Sequence, residues 1–108
     1  MIKVLIADDH ALFRDGLKRI FSEIEDIDVV GEAVDGKDIL KKVRECDWDI
    51  ALLDINLPDI NGLDILKRIL SVNSASRILV LSMYPEEEYA IRAIRSGASG
   101  YLTKDSPT

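Results

Sequence analysis

Hydrophobic residues in this chain follow two repeating patterns. Short, almost continuously apolar runs alternate with longer stretches in which apolar residues recur every three or four positions. The short runs predict strands, and the first, third and fourth have the apolar character typical of parallel strands covered on both faces. The predicted strands are residues 2–7, 28–33, 49–54, 77–82 and 100–104.

The stretches between the strands have helical spacing, so each is expected to turn one apolar side towards the sheet. The fourth helix is predicted to begin after Pro85, because a proline followed by three glutamates favours a first helical turn. The expected buried residues are Phe13, Leu17, Ile20 and Ile24 in the first helix, Ile39, Leu40 and Val43 in the second, Leu63, Leu66, Ile69 and Leu70 in the third, and Ala90, Ile91 and Ile94 in the fourth.

This alternation of strands and helices predicts an α/β fold, a doubly wound parallel sheet with right-handed crossovers. A chain of 108 residues accommodates one domain, so residues 1–108 are expected to form a single unit. The content of 47% hydrophobic and 31% charged residues is usual for a soluble globular protein. No apolar run approaches the roughly 20 residues that span a bilayer, so no membrane contact is predicted.

Charge and cysteine content narrow the function further. The net charge of −6 argues against nucleic-acid binding by this segment itself, since phosphate contacts need a basic face. The N-terminus, MIKVLIADDH, is interrupted by aspartates too early for a signal peptide. The single cysteine, Cys46, cannot form an internal disulfide, which fits the reducing cytoplasm, and is expected to pack against a helix.

Polar residues end four of the predicted strands. Asp8 and Asp9 follow the first strand, Asp54 ends the third, Ser82 ends the fourth, and Lys104 ends the fifth. The carboxyl ends of parallel strands meet at one edge of a doubly wound sheet, where ligands bind. We therefore expect these five side chains to form one site.

Three carboxylates at one edge need a cation. Two like charges about 4 Å apart repel by roughly 4 kcal/mol at an effective dielectric of about 20. Mg²⁺ prefers oxygen ligands and is often shared with a phosphate, so it would relieve this repulsion. Asp54 could then attack a phosphoryl group whose oxygens are held by Mg²⁺, Lys104 and Ser82. Pro58 and Gly62 would shape a rigid loop that directs a backbone carbonyl at the metal.

These features resemble the receiver domain of bacterial two-component response regulators. The motifs that carry the resemblance are IADDH, LLDINLPDING, LVLSM and GASGYLTKD. Two longer stretches are similar to the NarL/FixJ-type (LuxR-type) transcriptional regulators, DDHALFRDGL and LSMYPEEEYAIRAIRSGASGYLTKD. The resemblance implies a flavodoxin-like sheet of five parallel strands in the order 2-1-3-4-5.

The resemblance also implies a role for each site residue. Asp54 would accept a phosphoryl group from a phosphohistidine of a sensor histidine kinase. Asp9 would bind Mg²⁺ directly, Asp8 largely through water, and Asn56 through its backbone carbonyl. Lys104 would pair with the phosphoryl oxygens.

A conformational switch is implied as well. Ser82 would move towards the phosphoryl group, and the space it leaves would favour an inward position of Tyr101. The side chains of Asn56 and Tyr84 would help to set the lifetime of the phosphorylated state. The readout would be the surface of the fourth helix and fifth strand.

The family's longer proteins set expectations for the rest of the molecule. Ser106 and Pro107 read as the start of a fifth helix that this sequence lacks. A C-terminal helix-turn-helix domain would bind DNA, and the receiver domain would form a homodimer on phosphorylation. The expected location is the cytoplasm.

The same residues also have simpler interpretations. Asp54 alone would read as a turn former, and Asp8 or Asp9 could cap a helix. His10 is expected to be a partly exposed first-turn residue near the site rather than a phosphohistidine or a metal ligand. Trp48 is expected to pack at a loop.

Two other functions compete with the phosphorylated switch. One is a degenerate receiver that acts only as a docking module, although the aspartates and the lysine are all present. The other is an aspartyl-phosphate phosphatase, which would need an acid where Asn56 stands. The chain is therefore expected to catalyse only its own phosphorylation and dephosphorylation, and not to be a turnover enzyme.

Overall fold

A computed structural model of the protein describes residues 1–82 and 87–103. Within these ranges five strands and four helices alternate along the chain. Their bounds are β1 (Ile2–Ala7), α1 (Ala11–Ser22), β2 (Ile27–Ala33), α2 (Gly36–Glu45), β3 (Ile50–Asp54), α3 (Gly62–Val72), β4 (Arg77–Ser82), α4 (Glu87–Arg95) and β5 (Gly100–Thr103).

The five strands of the described residues form one sheet in the order β2-β1-β3-β4-β5. Every pairing in it is parallel. This confirms the predicted doubly wound α/β fold and its strand order. The order reverses between β1 and β3, which makes their carboxyl ends the topological switch point where such folds bind ligands.

Each face of the sheet carries a separate hydrophobic core. The main core lies under α2, α3 and α4, and it includes Leu5, Ala7, Ala33, Ile39, Ala51, Leu53, Ile65, Leu66, Ile69, Ile78, Val80 and Ala93. The second core lies under α1, and its buried members are Val4, Ile6, Leu52 and Leu81. Successive side chains of a strand point to opposite faces of the sheet. Leu5 therefore packs in the main core, whereas its neighbours Val4 and Ile6 pack in the second core.

The predicted apolar stripe of α1 is only partly correct. Phe13 and Leu17 pack on the second core, but the third contact is Phe21. Ile20 and Ile24 are exposed, at 57% and 43%. The spacing of four from Phe13 to Leu17 to Phe21 turns the larger aromatic surface inward, and α1 ends at Ser22, before Ile24.

The predicted buried side of α4 is wrong for its two isoleucines. Ile91 and Ile94 are 47% and 49% exposed. The helix instead contacts the main core through Tyr89 and the fully buried Ala93, which are one turn apart. Ala90 is half-buried, as predicted.

Two packing predictions agree with the structure. Cys46 is a half-buried free thiol next to the main core. Trp48 also packs on the main core, and its indole N–H donates to the carbonyl oxygen of Val43 at 3.1 Å. Within residues 1–82 and 87–103, every helix is too short or too polar to cross a lipid bilayer.

Some predictions fall on residues that the structure does not describe. They concern the first turn before α4, the lysine of the site and the start of a fifth helix. The residues of these predictions that lie outside the described ranges are Tyr84, Pro85, Lys104, Ser106 and Pro107.

Candidate functional site

Asp8 and Asp54 occupy the switch point between β1 and β3. Asp54 is the last residue of β3, and Asp8 directly follows β1. In the register of the two strands Ala7 pairs with Leu53, so the next residues, Asp8 and Asp54, come side by side. Both carboxylates are completely buried. Burial of charge at this edge has an energetic cost that polar partners or a cation must offset.

Four side chains converge at this edge. One ligand atom from each of Asp8, Asp9, His10 and Asp54 lies within 4.8 Å of the others. Asp9 and His10 form the open side of the cluster, with 34% and 54% of their side-chain surface exposed. The structure therefore brings together the three carboxylates that the sequence placed at one edge.

His10 contacts the carboxylates of the cluster directly. Its Nδ1 is 3.0 Å from Oδ1 of Asp8, 3.2 Å from Oδ1 of Asp9 and 3.8 Å from Oδ2 of Asp54. The residue is partly exposed and near the site, as expected, but it is the N-cap that precedes α1 and not a residue of its first turn. The sequence signal for this contact is that His10 directly follows the Asp8–Asp9 pair.

Backbone amides fix the two buried carboxylates. The N–H of His10 donates to Oδ1 of Asp8 at 2.8 Å, and the N–H of Asn56 donates to Oδ1 of Asp54 at 2.9 Å. Each donor is two residues after its acceptor, which is the geometry of an Asx turn. Both carboxylates are thus oriented by the chain that immediately follows them.

Arg14 holds the turn between β1 and α1 and was missed in the sequence. Its guanidinium donates to the backbone carbonyl of Asp8 and, at 3.3 Å, to the carboxylate of Glu32 on β2. Only 15% of its side-chain surface is exposed. Its position one helical turn after His10 places it beside the site, but the Glu32 contact joins residues 18 apart in sequence.

The β3–α3 loop (residues 55–61) alternates between buried and exposed residues. Ile55 and Leu57 are 7% exposed and belong to the main core. Asn56 and Pro58 are exposed, so the apolar neighbours of Asn56 anchor the loop while its polar side chain stays at the surface. The two buried residues therefore attach the loop to the main core directly after β3.

Gly62 closes this loop. Its N–H donates to the carbonyl oxygen of Ile55 at 3.1 Å. A Cβ atom at this position would lie 2.4 Å from Cα of Ile55 and 2.7 Å from its carbonyl oxygen. No side chain larger than a hydrogen fits this approach, which accounts physically for the glycine that the sequence placed eight residues after Asp54.

Ser82 and Tyr101 lie on neighbouring strands. Ser82 ends β4, is 1% exposed, and follows Leu81, the register partner of Asp54. Tyr101 is half-buried on β5 against the main core and pairs with Val80, two positions before Ser82. The structure thus places a hydroxyl at the same edge as the carboxylates and an aromatic ring one strand away.

The donor set of this site suits a hard divalent cation. Carboxylate oxygens from three residues lie close enough to share one ion, and Mg²⁺ prefers oxygen ligands at octahedral positions. The half-exposed Asp9 leaves the cluster open to solvent on one side, as a metal that keeps several waters requires.

Comparison with known proteins is consistent with this architecture. Residues 4–108 match the response regulator receiver domain family. The response regulator GacA of Pseudomonas aeruginosa is 39% identical over 104 residues, which are 96% of this chain and 49% of GacA. The chain therefore spans about half the length of the curated relatives it matches.

Solved structures agree with the fold. The signal receiver domain of the response regulator NarL from Mycobacterium tuberculosis superposes with a TM-score of 0.91 at 36% identity, covering 98% of this chain and 86% of that one. CheY of Borrelia burgdorferi, in a complex with CheX, BeF₃ and Mg²⁺, gives a TM-score of 0.92 at 26% identity, covering 98% of this chain and 80% of that one.

Proposed function

Because this chain belongs to the response regulator receiver domain family, we propose that Asp54 is its phosphoryl acceptor. The observation that carries this proposal is the fully buried Asp54 carboxylate within 4.8 Å of ligand atoms from Asp8 and Asp9. The NarL/FixJ-type resemblance is confirmed by the relatives, which include GacA and NarL. The residue roles below extend that family assignment to individual side chains.

Asp8, Asp9 and Asp54 would hold Mg²⁺ together with the backbone carbonyl of Asn56. Asp9, at the open side of the cluster, would bind directly, and the buried Asp8 largely through water. When bound, Mg²⁺ neutralises carboxylate and phosphoryl oxygens that would otherwise repel each other. The Mg²⁺ and BeF₃ in the CheY complex support the same choice of ion.

Phosphoryl transfer would use one carboxylate oxygen of Asp54. That oxygen attacks phosphorus, a P–O bond to Asp54 forms, and the P–N bond to the histidine of a sensor histidine kinase breaks with its electron pair on the imidazole nitrogen. The N–H of Asn56, 2.9 Å from Oδ1, keeps the carboxylate oriented during attack. Lys104 and the hydroxyl of Ser82 would hold the phosphoryl oxygens.

Ser82 and Tyr101 would convert phosphorylation into a change of surface. A hydroxyl drawn towards the phosphoryl group leaves space beside β5, and the half-buried ring of Tyr101 can occupy it. Such a change is a two-state element biased by a local charge event. The side chains of Asn56 and Tyr84 would adjust how long the phosphorylated state persists.

The output would belong to a longer protein. Since the chain covers about half of GacA, we infer a C-terminal helix-turn-helix domain that binds DNA and a homodimer formed on phosphorylation. The receiver domain would act in the cytoplasm and catalyse only its own phosphorylation and dephosphorylation. No observation favours a docking module or a phosphatase. For the phosphatase, this chain also has Asn56 at the position where a general acid would be needed.

Labelling with acetyl phosphate in Mg²⁺ tests the proposal. Wild-type chain should gain one phosphoryl group that hydroxylamine removes, because an acyl phosphate is sensitive to that nucleophile, and Asp54→Asn should gain none. Asp64→Asn is the matched control, since Asp64 is an exposed aspartate in the first turn of α3. Undiminished labelling of Asp54→Asn would exclude Asp54 as the acceptor.

A further inference from the structure

A carboxylate of the β3–α3 loop reaches across to the start of α2. Oδ1 of Asp59 accepts a hydrogen bond from the N–H of Gly36 at 2.6 Å, and Oδ2 accepts from the N–H of Lys37 at 3.1 Å. These are the first two amides of α2, and the N-terminus of a helix attracts negative charge. The two hydrogen bonds join residues that are 23 and 22 positions apart in sequence.

Helix α2 already has a cap of its own. Asp35 precedes its first residue, and its side chain accepts a hydrogen bond from the N–H of Asp38 at 2.8 Å. This is the usual local N-cap geometry. Capping of α2 therefore does not require Asp59. Its carboxylate instead connects the β3–α3 loop to the start of α2.

The joint between loop and helix is tightly packed. A Cβ atom at Gly36 would lie 2.9 Å from Oδ1 of Asp59, 2.9 Å from Cβ of Ile60 and 3.0 Å from Cδ1 of Ile65. Gly36 is buried, and Ile60 packs against the main core. The start of α2, the loop and α3 thus meet with no room for a further methyl group, so displacement of one displaces the others.

The same loop carries the groups that orient the site. Asn56, whose N–H donates to Asp54, is three residues before Asp59. The loop is closed at its ends by the hydrogen bond from the N–H of Gly62 to the carbonyl of Ile55. Asp59 therefore fixes the middle of a short segment whose first residues form one wall of the site.

We propose that Asp59 is a positioning residue that couples α2 to the phosphorylation site through the β3–α3 loop. Anchored by Asp59, the loop holds the Asn56 backbone in place for Mg²⁺ and for Asp54. Conversely, a ligand at Asp54 restrains the loop and thereby the first turn of α2. This inference rests on the proposed function, and it assigns to α2 a response distinct from that of Ser82 and Tyr101.

Amide hydrogen exchange and calorimetry on the 108-residue chain test the coupling. Mg²⁺ with beryllofluoride, a phosphoryl mimic, should slow exchange at Gly36 and Lys37 by about threefold or more, since these amides report local opening. In Asp59→Ala this slowing should be lost, and Mg²⁺ affinity should fall by about tenfold, as for other partners outside the ligand set. Asp59→Asn keeps one carbonyl acceptor and should recover part of both effects.

Asp35→Ala is the matched control. It removes the same charge and a cap from the same helix, but it leaves the loop anchored, so Mg²⁺ affinity and the slowed exchange should stay as in wild type. Equal losses in Asp35→Ala and Asp59→Ala, or unchanged behaviour of Asp59→Ala, would overturn the coupling while leaving Asp54 as acceptor. Failure of the wild-type chain to bind Mg²⁺ or beryllofluoride would overturn the proposed function and the coupling together.

Discussion

The backbone N–H of Asn56 donates a 2.9 Å hydrogen bond to Oδ1 of Asp54, so the chain itself orients the buried carboxylate. The side chain of Asn56 is exposed and is not needed for this contact. A hydrogen bond to a charged group contributes about 1.5–3 kcal/mol, and Asn56→Ala keeps the donor.

Because Asn56→Ala keeps this hydrogen bond, the activation free energy for phosphorylation should rise by less than about 1.4 kcal/mol, which corresponds to a tenfold change in rate. We therefore expect the variant to accept a phosphoryl group from acetyl phosphate with an initial rate within about tenfold of wild type. Phosphate-affinity electrophoresis over time measures this rate. Loss of labelling as complete as in Asp54→Asn would mean that the side chain, rather than the amide, orients the acceptor.

Asp9 provides the open side of the carboxylate cluster, with 34% of its side chain exposed. If it binds Mg²⁺ directly, Asp9→Ala should weaken Mg²⁺ binding by about tenfold or more, at least as much as the loss of a group outside the ligand set. Isothermal titration calorimetry at constant ionic strength measures the affinity.

The control for charge is Asp47→Ala. Asp47 is 88% exposed and pairs with Lys3 at 2.7 Å, just before β3 and hence at the opposite end of the sheet from Asp54. The Asp47→Ala substitution removes the same charge as Asp9→Ala but far from the site, so Mg²⁺ affinity should be unchanged. A similar weakening in both variants would attribute the effect to net charge and not to Asp9 as a ligand.

The sequence predicted those features of the fold that depend on strand period and strand ends. Runs such as residues 2–7 and 77–82 are strands over the predicted residues. The convergence of Asp8, Asp9 and Asp54 followed from the rule that parallel strands end at one edge. No knowledge of side-chain contacts was needed for either.

Contacts between segments distant in sequence could not be predicted in the same way. Helical spacing predicted Ile20 on the buried side of α1, but packing on the sheet places Phe21 there and leaves Ile20 exposed. The contacts of Arg14 with Glu32 and of Asp59 with Gly36 join different segments, and no local pattern specifies them. The carboxylates at the strand ends were therefore predictable, whereas the contacts of Arg14 and Asp59 that support them were not.

Gly62 should be irreplaceable for a steric reason. Its added Cβ would lie 2.4 Å from Cα of Ile55, so Gly62→Ala should lower the free energy of unfolding by about 1–3 kcal/mol, as overpacking does. The displaced loop should also slow phosphorylation by acetyl phosphate. Urea unfolding, followed by the fluorescence of Trp48, measures the stability.

Gly16 is the matched control for this substitution. It lies inside α1 with nothing within 4 Å of an added Cβ, so Gly16→Ala should stabilise the domain by up to about 1 kcal/mol through helix propensity. Destabilisation of both variants to the same extent would contradict the steric explanation for Gly62.

Asp59 should make stability depend on pH in the acidic range. The hydrogen bond from the backbone of Gly36, followed by that from Lys37, lowers the pKa of Asp59 below its ordinary value of 3.8, and partial desolvation opposes them. Because the folded-state pKa lies below the unfolded one, the stabilisation is fully present above the unfolded pKa. It is lost as the pH falls through the folded-state value.

Asp59→Asn should therefore be less stable than wild type at pH 7, and the difference should shrink as the pH falls below about 4, where Asp59 becomes protonated in the unfolded state and then in the folded state. Urea unfolding of both proteins between pH 7 and pH 3, with Trp48 fluorescence as the signal, measures this difference. Asp26→Asn, at an exposed turn before β2, should show no such convergence. The protonated acid and the amide offer α2 the same neutral carbonyl acceptor, so the two proteins should differ only while Asp59 is charged. If the difference in stability between Asp59→Asn and wild type stays constant from pH 7 to pH 3, the charge of Asp59 does not strengthen its contact with α2.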